Sequence, residues 1–269
     1  YFTVAMSLPK TYKAYILSSK GEKPKLTTVP LEKPGQNQVL VKMEFAPINP
    51  SDGMTIESKY PVGVNPPHGV GLEGSGVVAA VGDNLSVQHN VGDRVHVVGV
   101  GTWAEYLTTS SERCRKVQEG LDMKDAASHF INPLTVHYMA DLVLKGGHKA
   151  AIHTAGSSML GRMMIRYFKL KGIKLINIVR REEVIEELKK EGGEIFLNSK
   201  SPDFEKKLRE LTEKESATIC FDAIGEDMSG KVLRNMPDKS TIYIYGALSS
   251  EKANDFYVYD FLFKGKTAT

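Results

Sequence analysis

The sequence predicts an α/β protein in two parts. Residues 1–130 read as a barrel or sandwich of short β-strands, and residues 131–269 as a doubly wound parallel sheet. Three observations predict this. The first part is a succession of short apolar runs punctuated by glycine turns. The second part alternates apolar runs with segments of helical period. The stretch 150–181 reads A-A-I-H-T-A, G-S-S-M-L-G, R-M-M-I-R-Y-F-K-L-K, G-I-K-L-I-N-I-V-R-R. That order of strand, small-residue turn, helix and strand is a βαβ unit, whose crossover is right-handed.

Taken in order, residues 12–17 and 25–29 read as a hairpin. In residues 39–45, Val41, Met43 and Phe45 alternate with Lys42 and Glu44, the period of a strand with one buried face. A-P-I-N-P-S-D follows at 46–52; Pro50 excludes a central strand, and Ser51 and Asp52 are expected to cap a helix. Residues 71–82, 91–98 and 103–109 are further strands. Helical texture begins at 122 and is expected to break at I-N-P-L-T, 131–135, with the domain boundary within 118–135. Beyond it, strands at 150–154, 174–179, 194–198, 217–222 and 241–245 alternate with helices at 160–171, 182–191, 203–214 and 228–236. In the first of these helices Leu160, Met163, Met164, Tyr167 and Phe168 form the expected buried stripe.

Composition narrows the function. Of 269 residues, 41% are hydrophobic and 25% charged, the balance of an ordinary globular chain long enough for two modest domains. A net charge of +3 is too small to make nucleic acid or an anionic membrane the expected partner. No apolar run reaches the roughly 18 residues of a membrane span. Cys114 and Cys220 lie far apart and suggest neither a disulfide framework nor a cysteine-rich metal site. The first residue is Tyr1 rather than Met, which is consistent with a removed leader.

The βαβ turn carries the chemistry. A strand that passes through small residues into a helix N-terminus presents free amides and the positive end of the helix dipole to an anion. Ser157, Ser158, Met159 and Leu160 form this turn, the expected pyrophosphate site. A full G-x-G-x-x-G is absent: Gly156 and Gly161 are present, but Met159 stands where glycine favours close backbone approach. Arg180 ends the second strand where an adenosine ribose would lie, with Arg181 beside it. Arginine there suits a 2′-phosphate, so the cofactor expected is NADPH rather than NADH. Without a ligand the same residues are only a βαβ unit, and Glu182 and Glu183 could partly neutralise the arginines. Asn49 has an amide able to orient a substrate or the nicotinamide, or to bond its own turn.

The motifs I-N-P-S-D, G-L-E-G-S-G-V-V-A-A-V-G, V-G-D-R-V, G-T-W-A-E-Y and I-N-P-L-T, with the turn above, occur in one order along the chain. In that order they resemble the medium-chain dehydrogenase/reductase superfamily. The resemblance implies a GroES-like β-barrel domain followed by a doubly wound Rossmann domain. Within the superfamily the chain most resembles the zinc-free mitochondrial trans-2-enoyl-thioester reductases, with quinone oxidoreductases close by. Zinc-dependent members carry Cys before the S/T-D of the first motif and His before the Glu of the second. Here those positions hold Asn49 or Pro50, and Leu72, and there is no four-cysteine cluster, so no metal is expected. The seven histidines are scattered and read as surface or packing residues.

The resemblance implies further residue roles. Tyr60 stands twelve residues after Ile48, the spacing at which enoyl-thioester reductases place their catalytic tyrosine. A phenol with a pKa near 10 can protonate an enolate carbon. Asn132 and Thr135 match N-P-x-T, which borders the nicotinamide; otherwise they cap a helix. Tyr245, Gly246, Ala247 and Leu248 match the segment that closes over the nicotinamide side. The family continues past the position of Thr269, beginning its sixth Rossmann strand there, so the resemblance implies that the C-terminal part of its fold is absent. The function expected is NADPH-dependent reduction of a 2-enoyl thioester. The alternatives are quinone reduction, or an inactive reductase-like subunit of a larger complex. A homodimer or larger assembly and a mitochondrial location are implied, with the cytosol as the other possibility.

Overall fold

The computed structural model describes residues 8–59, 64–249 and 252–269. The chain divides into two units, Tyr1–Ile131 and Asn132–Thr269.

The first unit carries β1 (Thr11–Leu17), β2 (Lys25–Pro30), β3 (Gln38–Phe45), α1 (Pro50–Ile56), β4 (His68–Gly69), β5 (Glu73–Val81), β6 (Arg94–Val98), β7 (Tyr106–Ser110), β8 (Cys114–Lys116) and α2 (Met123–Ala126). Its strands form two antiparallel sheets, ordered β2-β1-β4 and β7-β3-β5-β6-β8. Residues 103–105 join them. The Tyr15 and Met43 amides donate to the Trp103 and Glu105 carbonyls at 3.0 Å each, and the Glu105 amide donates to the Lys13 carbonyl at 2.9 Å. The interior is β-branched: Val39, Val41, Val78, Val95 and Val97 pack with Cys114. Alternation in β3 holds as far as Met43. Register shifts at Leu40/Val41 and at Met43/Phe45 then turn Phe45 outward, contrary to the simple period.

The helix after β3 starts earlier than the sequence reading placed it. Its cap is Asn49, in extended backbone (φ −101°, ψ 155°), and Asp52 is the third helical residue rather than the cap. Proline disfavours helical backbone in the residue before it and suits the first helical position itself, which sets the boundary between Asn49 and Pro50. A second difference concerns 131–135. This stretch does not break a helix; it begins α3 (Ile131–Lys145). Pro133 sits in the first turn, where no intrahelical donor is required. The helical texture from 122 belongs instead to the one-turn α2, capped by Asp122, whose carboxylate accepts from the Lys124 amide at 2.8 Å.

The second unit continues with β9 (Ala150–His153), α4 (Met159–Leu170), β10 (Lys174–Val179), α5 (Ile185–Lys190), β11 (Ile195–Asn198), α6 (Phe204–Lys214), β12 (Ala217–Asp222), α7 (Glu226–Arg234), β13 (Thr241–Ile244), α8 (Val258–Leu262) and β14 (Thr267–Ala268). All six strands are parallel, ordered β11-β10-β9-β12-β13-β14. α8 has no counterpart among the elements expected from the sequence, because a five-residue helix is too short to show a period; β14 lies where the resemblance implies that a sixth strand begins. Strand side chains alternate between two cores. Ala151, Leu175, Val179, Ile219 and Phe221 face α3, α4 and α5, while Ala150, Ile152, Ile176, Ile178, Cys220 and Ile242 face α6 and α7. A parallel sheet buried on both sides demands these near-continuous apolar strands. The buried stripe of α4 is Met164, Ile165 and Phe168, with Leu160, Met163 and Tyr167 half-buried at its edge, so Ile165 joins the expected set.

Strand order reverses between β9 and β12, and ligands of doubly wound sheets lie beyond the carboxyl ends of the strands at such a point. Phe168, near the C-terminal end of α4, is fully buried in the core between that helix and the sheet. Phe168→Ala is expected to cost about 3–5 kcal/mol by urea unfolding, because the helix cannot collapse into the volume lost.

Candidate active site

The carboxyl edge of the parallel sheet is built from chain reversals that fit one another closely. β9 ends at His153, and residues 154–158 turn into α4. Gly161 makes the turn possible. A Cβ there would lie 2.5 Å from the Ala155 carbonyl and 2.6 Å from that of Gly156, so any side chain would push the helix off the strand. Ser158 caps the helix: its Oγ accepts from the Gly161 amide at 3.0 Å, and its carbonyl accepts from Arg162. The Met159 and Leu160 amides, in the first turn, have no acceptor among the described residues. Their N–H groups and the helix dipole therefore stand ready for an anion. The Met159 side chain is 61% exposed, whereas Leu160 packs on the core.

Arg180 and Arg181 follow the end of β10, both exposed. Arg181 lies 3.8 Å from Glu183. Glu182 instead accepts from the Asn198 side chain at 2.8 Å, at the end of β11. No carboxylate pairs with Arg180 among the described residues, so its guanidinium is available.

A second reversal follows β12. Asp222 is fully buried, and its carboxylate accepts from Thr154 Oγ1 at 2.6 Å, the Ile224 amide at 2.9 Å, the Gly225 amide at 3.3 Å and Ser229 Oγ. Thr154 Oγ1 in turn accepts from the Ala223 amide at 3.0 Å. Residues 245–249 lie along this turn: the Tyr245 amide donates to the Asp222 carbonyl and the Leu248 amide to the Ala223 carbonyl, each at 2.9 Å. Gly246 permits that contact, since a Cβ there would sit 2.9 Å from the Ala223 carbonyl oxygen. The Tyr245 hydroxyl meets Nε2 of His153 at 2.6 Å, and the two rings stack with 18° between their planes. His153 is fully buried, and burial pushes its pKa down to about 3, so the imidazole is neutral. Burial raises the Tyr245 phenol, and the Asp222 charge adds to the shift.

This arrangement brings together Ser157, Ser158, Met159 and Leu160 on one edge with Tyr245, Gly246, Ala247 and Leu248. Asn132 and Thr135 lie in the first turn of α3, both half-buried. Tyr60 lies outside the described residues.

In the first unit Asn49 is held from two sides. Its backbone amide donates to Asp52 Oδ2 at 2.6 Å, and its side-chain Nδ2 donates to Glu73 Oε1 at 2.8 Å. Asp52 and Glu73 are 1% and 2% exposed. Burial raises the pKa of both. The Asn49 and Leu72 amides draw Asp52 back down. The Asn49 side chain and the Ile131 backbone do the same for Glu73, whereas the Asp52 charge pushes Glu73 further up. Among the described residues no group of three or more His, Cys, Asp or Glu side chains could hold a metal ion.

Three residues of this geometry escaped the sequence reading: His153, Asp222 and Glu73. The signals were slight. His153 is the one strongly polar residue in A-A-I-H, Asp222 ends an otherwise apolar strand, and Glu73 sits between Leu72 and Gly74 in a run that becomes a buried strand.

The raised Glu73 has a consequence for stability. A carboxyl whose folded pKa lies above its unfolded value of about 4.5 favours the native state below that pH, and this contribution is lost as pH rises through the folded value. Glutamine keeps the acceptor for Asn49 but does not titrate. The stability of the parent relative to Glu73→Gln is therefore expected to fall as pH rises from about 4 to about 7.5, read as urea midpoints. A difference independent of pH would show that the carboxyl titrates normally.

Comparison with known proteins agrees with this architecture. Residues 35–119 match the model of the alcohol dehydrogenase GroES-like domain, and residues 159–269 that of the zinc-binding dehydrogenase family. A mitochondrial enoyl-[acyl-carrier-protein] reductase of Arabidopsis thaliana is 29% identical over 260 residues, covering 93% of this chain and 68% of its own length. A quinone oxidoreductase of Pseudomonas aeruginosa is 27% identical over 202 residues, 72% of this chain and 60% of its own. A solved structure from Mesorhizobium loti, provisionally named an NADPH:quinone reductase, is 32% identical with a TM-score of 0.90, covering 98% of this chain and 82% of that one.

Proposed function

Because the chain belongs to the medium-chain dehydrogenase/reductase superfamily of oxidoreductases, we propose that it is an NADPH-dependent, zinc-free reductase of 2-enoyl thioesters. The observation that carries this reading is the α4 N-terminus: two amides at the end of β9, with Arg180 at the end of β10, none of them partnered among the described residues. That pair suits a diphosphate and a 2′-phosphate joined by an adenosine. Ser157, Ser158, Met159 and Leu160 would hold the diphosphate, Arg180 and Arg181 the 2′-phosphate. Asn132, Thr135 and residues Tyr245, Gly246, Ala247 and Leu248 would line the nicotinamide. Met159 is compatible with this, because its side chain is exposed while its amide is the group required.

When bound, NADPH supplies a hydride. The chain's own residues supply the rest. Tyr60 Oη is assigned as the donor of the proton that the α-carbon takes up as the β-carbon is reduced. Asn49, with its side chain held through Nδ2 on Glu73, is assigned to orient substrate or nicotinamide. Tyr60 and Asn49 are thus the catalytic pair of this proposal. The Arabidopsis thaliana relative named above is mitochondrial, and we assign this chain to the same compartment, as a homodimer or part of a larger assembly.

Quinone reduction is the second reading, favoured by the 32% identity to the Mesorhizobium loti protein. A quinone takes its charge on oxygen and needs no carbon-directed acid. Stopped-flow NADPH oxidation with crotonyl-CoA beside 1,4-benzoquinone separates the two. Turnover of crotonyl-CoA is expected, and Tyr60→Phe should lower it about 10²–10⁴-fold. Equal rates for Tyr60→Phe and the parent would remove that residue from the mechanism.

Arg180→Ala is expected to weaken NADPH binding by about tenfold or more while leaving NADH unchanged, as loss of a charge-assisted contact implies. No measurable affinity of the parent for either dinucleotide would favour the inactive-subunit alternative.

A further inference from the structure

We propose that His153 is a positioning residue that turns the Tyr245 hydroxyl outward, so that its O–H donates to an oxygen on the nicotinamide half of the bound dinucleotide. This rests on the NADPH reading above and deepens it.

His153 and Tyr245 can share their 2.6 Å contact in two ways. In one, the phenol donates to Nε2 and the imidazole proton sits on Nδ1. In the other, Nε2–H donates to the phenol oxygen and Nδ1 is bare. Nδ1 is buried and has no hydrogen-bond partner among the described residues. The first arrangement would strand a buried N–H donor, whereas the second strands only an acceptor lone pair. Orphaned buried donors are the rarer and costlier of the two. The imidazolium, which would also strand Nδ1–H, is disfavoured by the complete burial of the ring. The Nε2–H tautomer is therefore the one the surroundings select.

That tautomer settles the phenol. Its oxygen accepts from His153, and its own hydrogen has no acceptor among the described residues. Tyr245 is 38% exposed as a residue while burial raises its phenol, so the hydroxyl sits at the margin of the protein, within reach of a bound molecule. The stacked rings hold the phenol in one plane.

Strand order then says what the hydroxyl meets. The diphosphate site is at the end of β9 and the arginines are at the end of β10, on one side of it. The other half of an extended dinucleotide must run the opposite way, over β12 and β13, and Tyr245 follows β13. A ribose, phosphate or carboxamide oxygen there is an acceptor of the required kind.

Two measurements test this. The first is ¹⁵N NMR of the imidazole in the ligand-free protein, where the Nε2–H tautomer is expected and the Nδ1–H tautomer would overturn the proposal. The second is calorimetric titration with NADPH and, separately, with 2′,5′-ADP, which carries only the adenosine half. Tyr245→Phe and His153→Leu should weaken NADPH about three- to tenfold, the range of one hydrogen bond, and leave 2′,5′-ADP unchanged. His153→Gln, which retains an N–H donor, should recover most of the loss. Unchanged NADPH affinity in Tyr245→Phe, or an equal loss for both ligands, would overturn the proposal while the dinucleotide reading stands. A parent that binds neither ligand would overturn both.

Discussion

The carboxylate of Asp222 organises the edge on which the second unit's function depends. A fully buried carboxylate without donors would be prohibitively costly. Here it receives four, from the end of β9, from two amides of the turn it begins, and from the first half of α7. The donors come from three separate segments of the chain, so satisfying the carboxylate fixes their geometry together. The Asp222 carbonyl then accepts from Tyr245, which adds the segment after β13. One charge, forced to find its partners inside the protein, thus aligns the turns that face a ligand.

The same logic recurs on a smaller scale in the first unit. Asp52 and Glu73 are both buried, and Asn49 is the residue that answers them, through its backbone to one and its side chain to the other. Holding the amide this way removes its rotational freedom. Gly161 works by the opposite means, through what it lacks. Without a Cβ, α4 can sit against the Ala155 and Gly156 carbonyls, and its first amides are delivered to the strand end.

Much of this was legible from residues alone. The five long strands of the second unit were visible because each must be apolar on both faces, and their helices because a surface helix keeps a stripe of period 3.6. The start of α3 was misread because proline is ambiguous: I-N-P-L-T signals a break in a helix interior and a beginning in a first turn. α8 was invisible because five residues carry no period, and β14, two residues long, could be expected only from the resemblance and not from its own pattern. Phe45 was placed inward by alternation and turned outward by a bulge, a feature that arises from pairing with β5 and leaves no mark on its own strand.

The site divides along the same line. Ser157, Ser158, Met159, Leu160 and Arg180 could be named from the sequence, because a strand, a turn of small residues and a helix produce an anion site wherever they occur, and the chemistry lies in the backbone. The roles of His153, Glu73 and Asp222 could not. Each is a polar side chain whose partner stands 92, 24 or 68 positions away, and its protonation and orientation follow from which groups share its burial. Local order determined the fold class and the place of the phosphate turn. Only folding, by removing water from around these three side chains, decided which atoms they must satisfy and which they leave for a ligand.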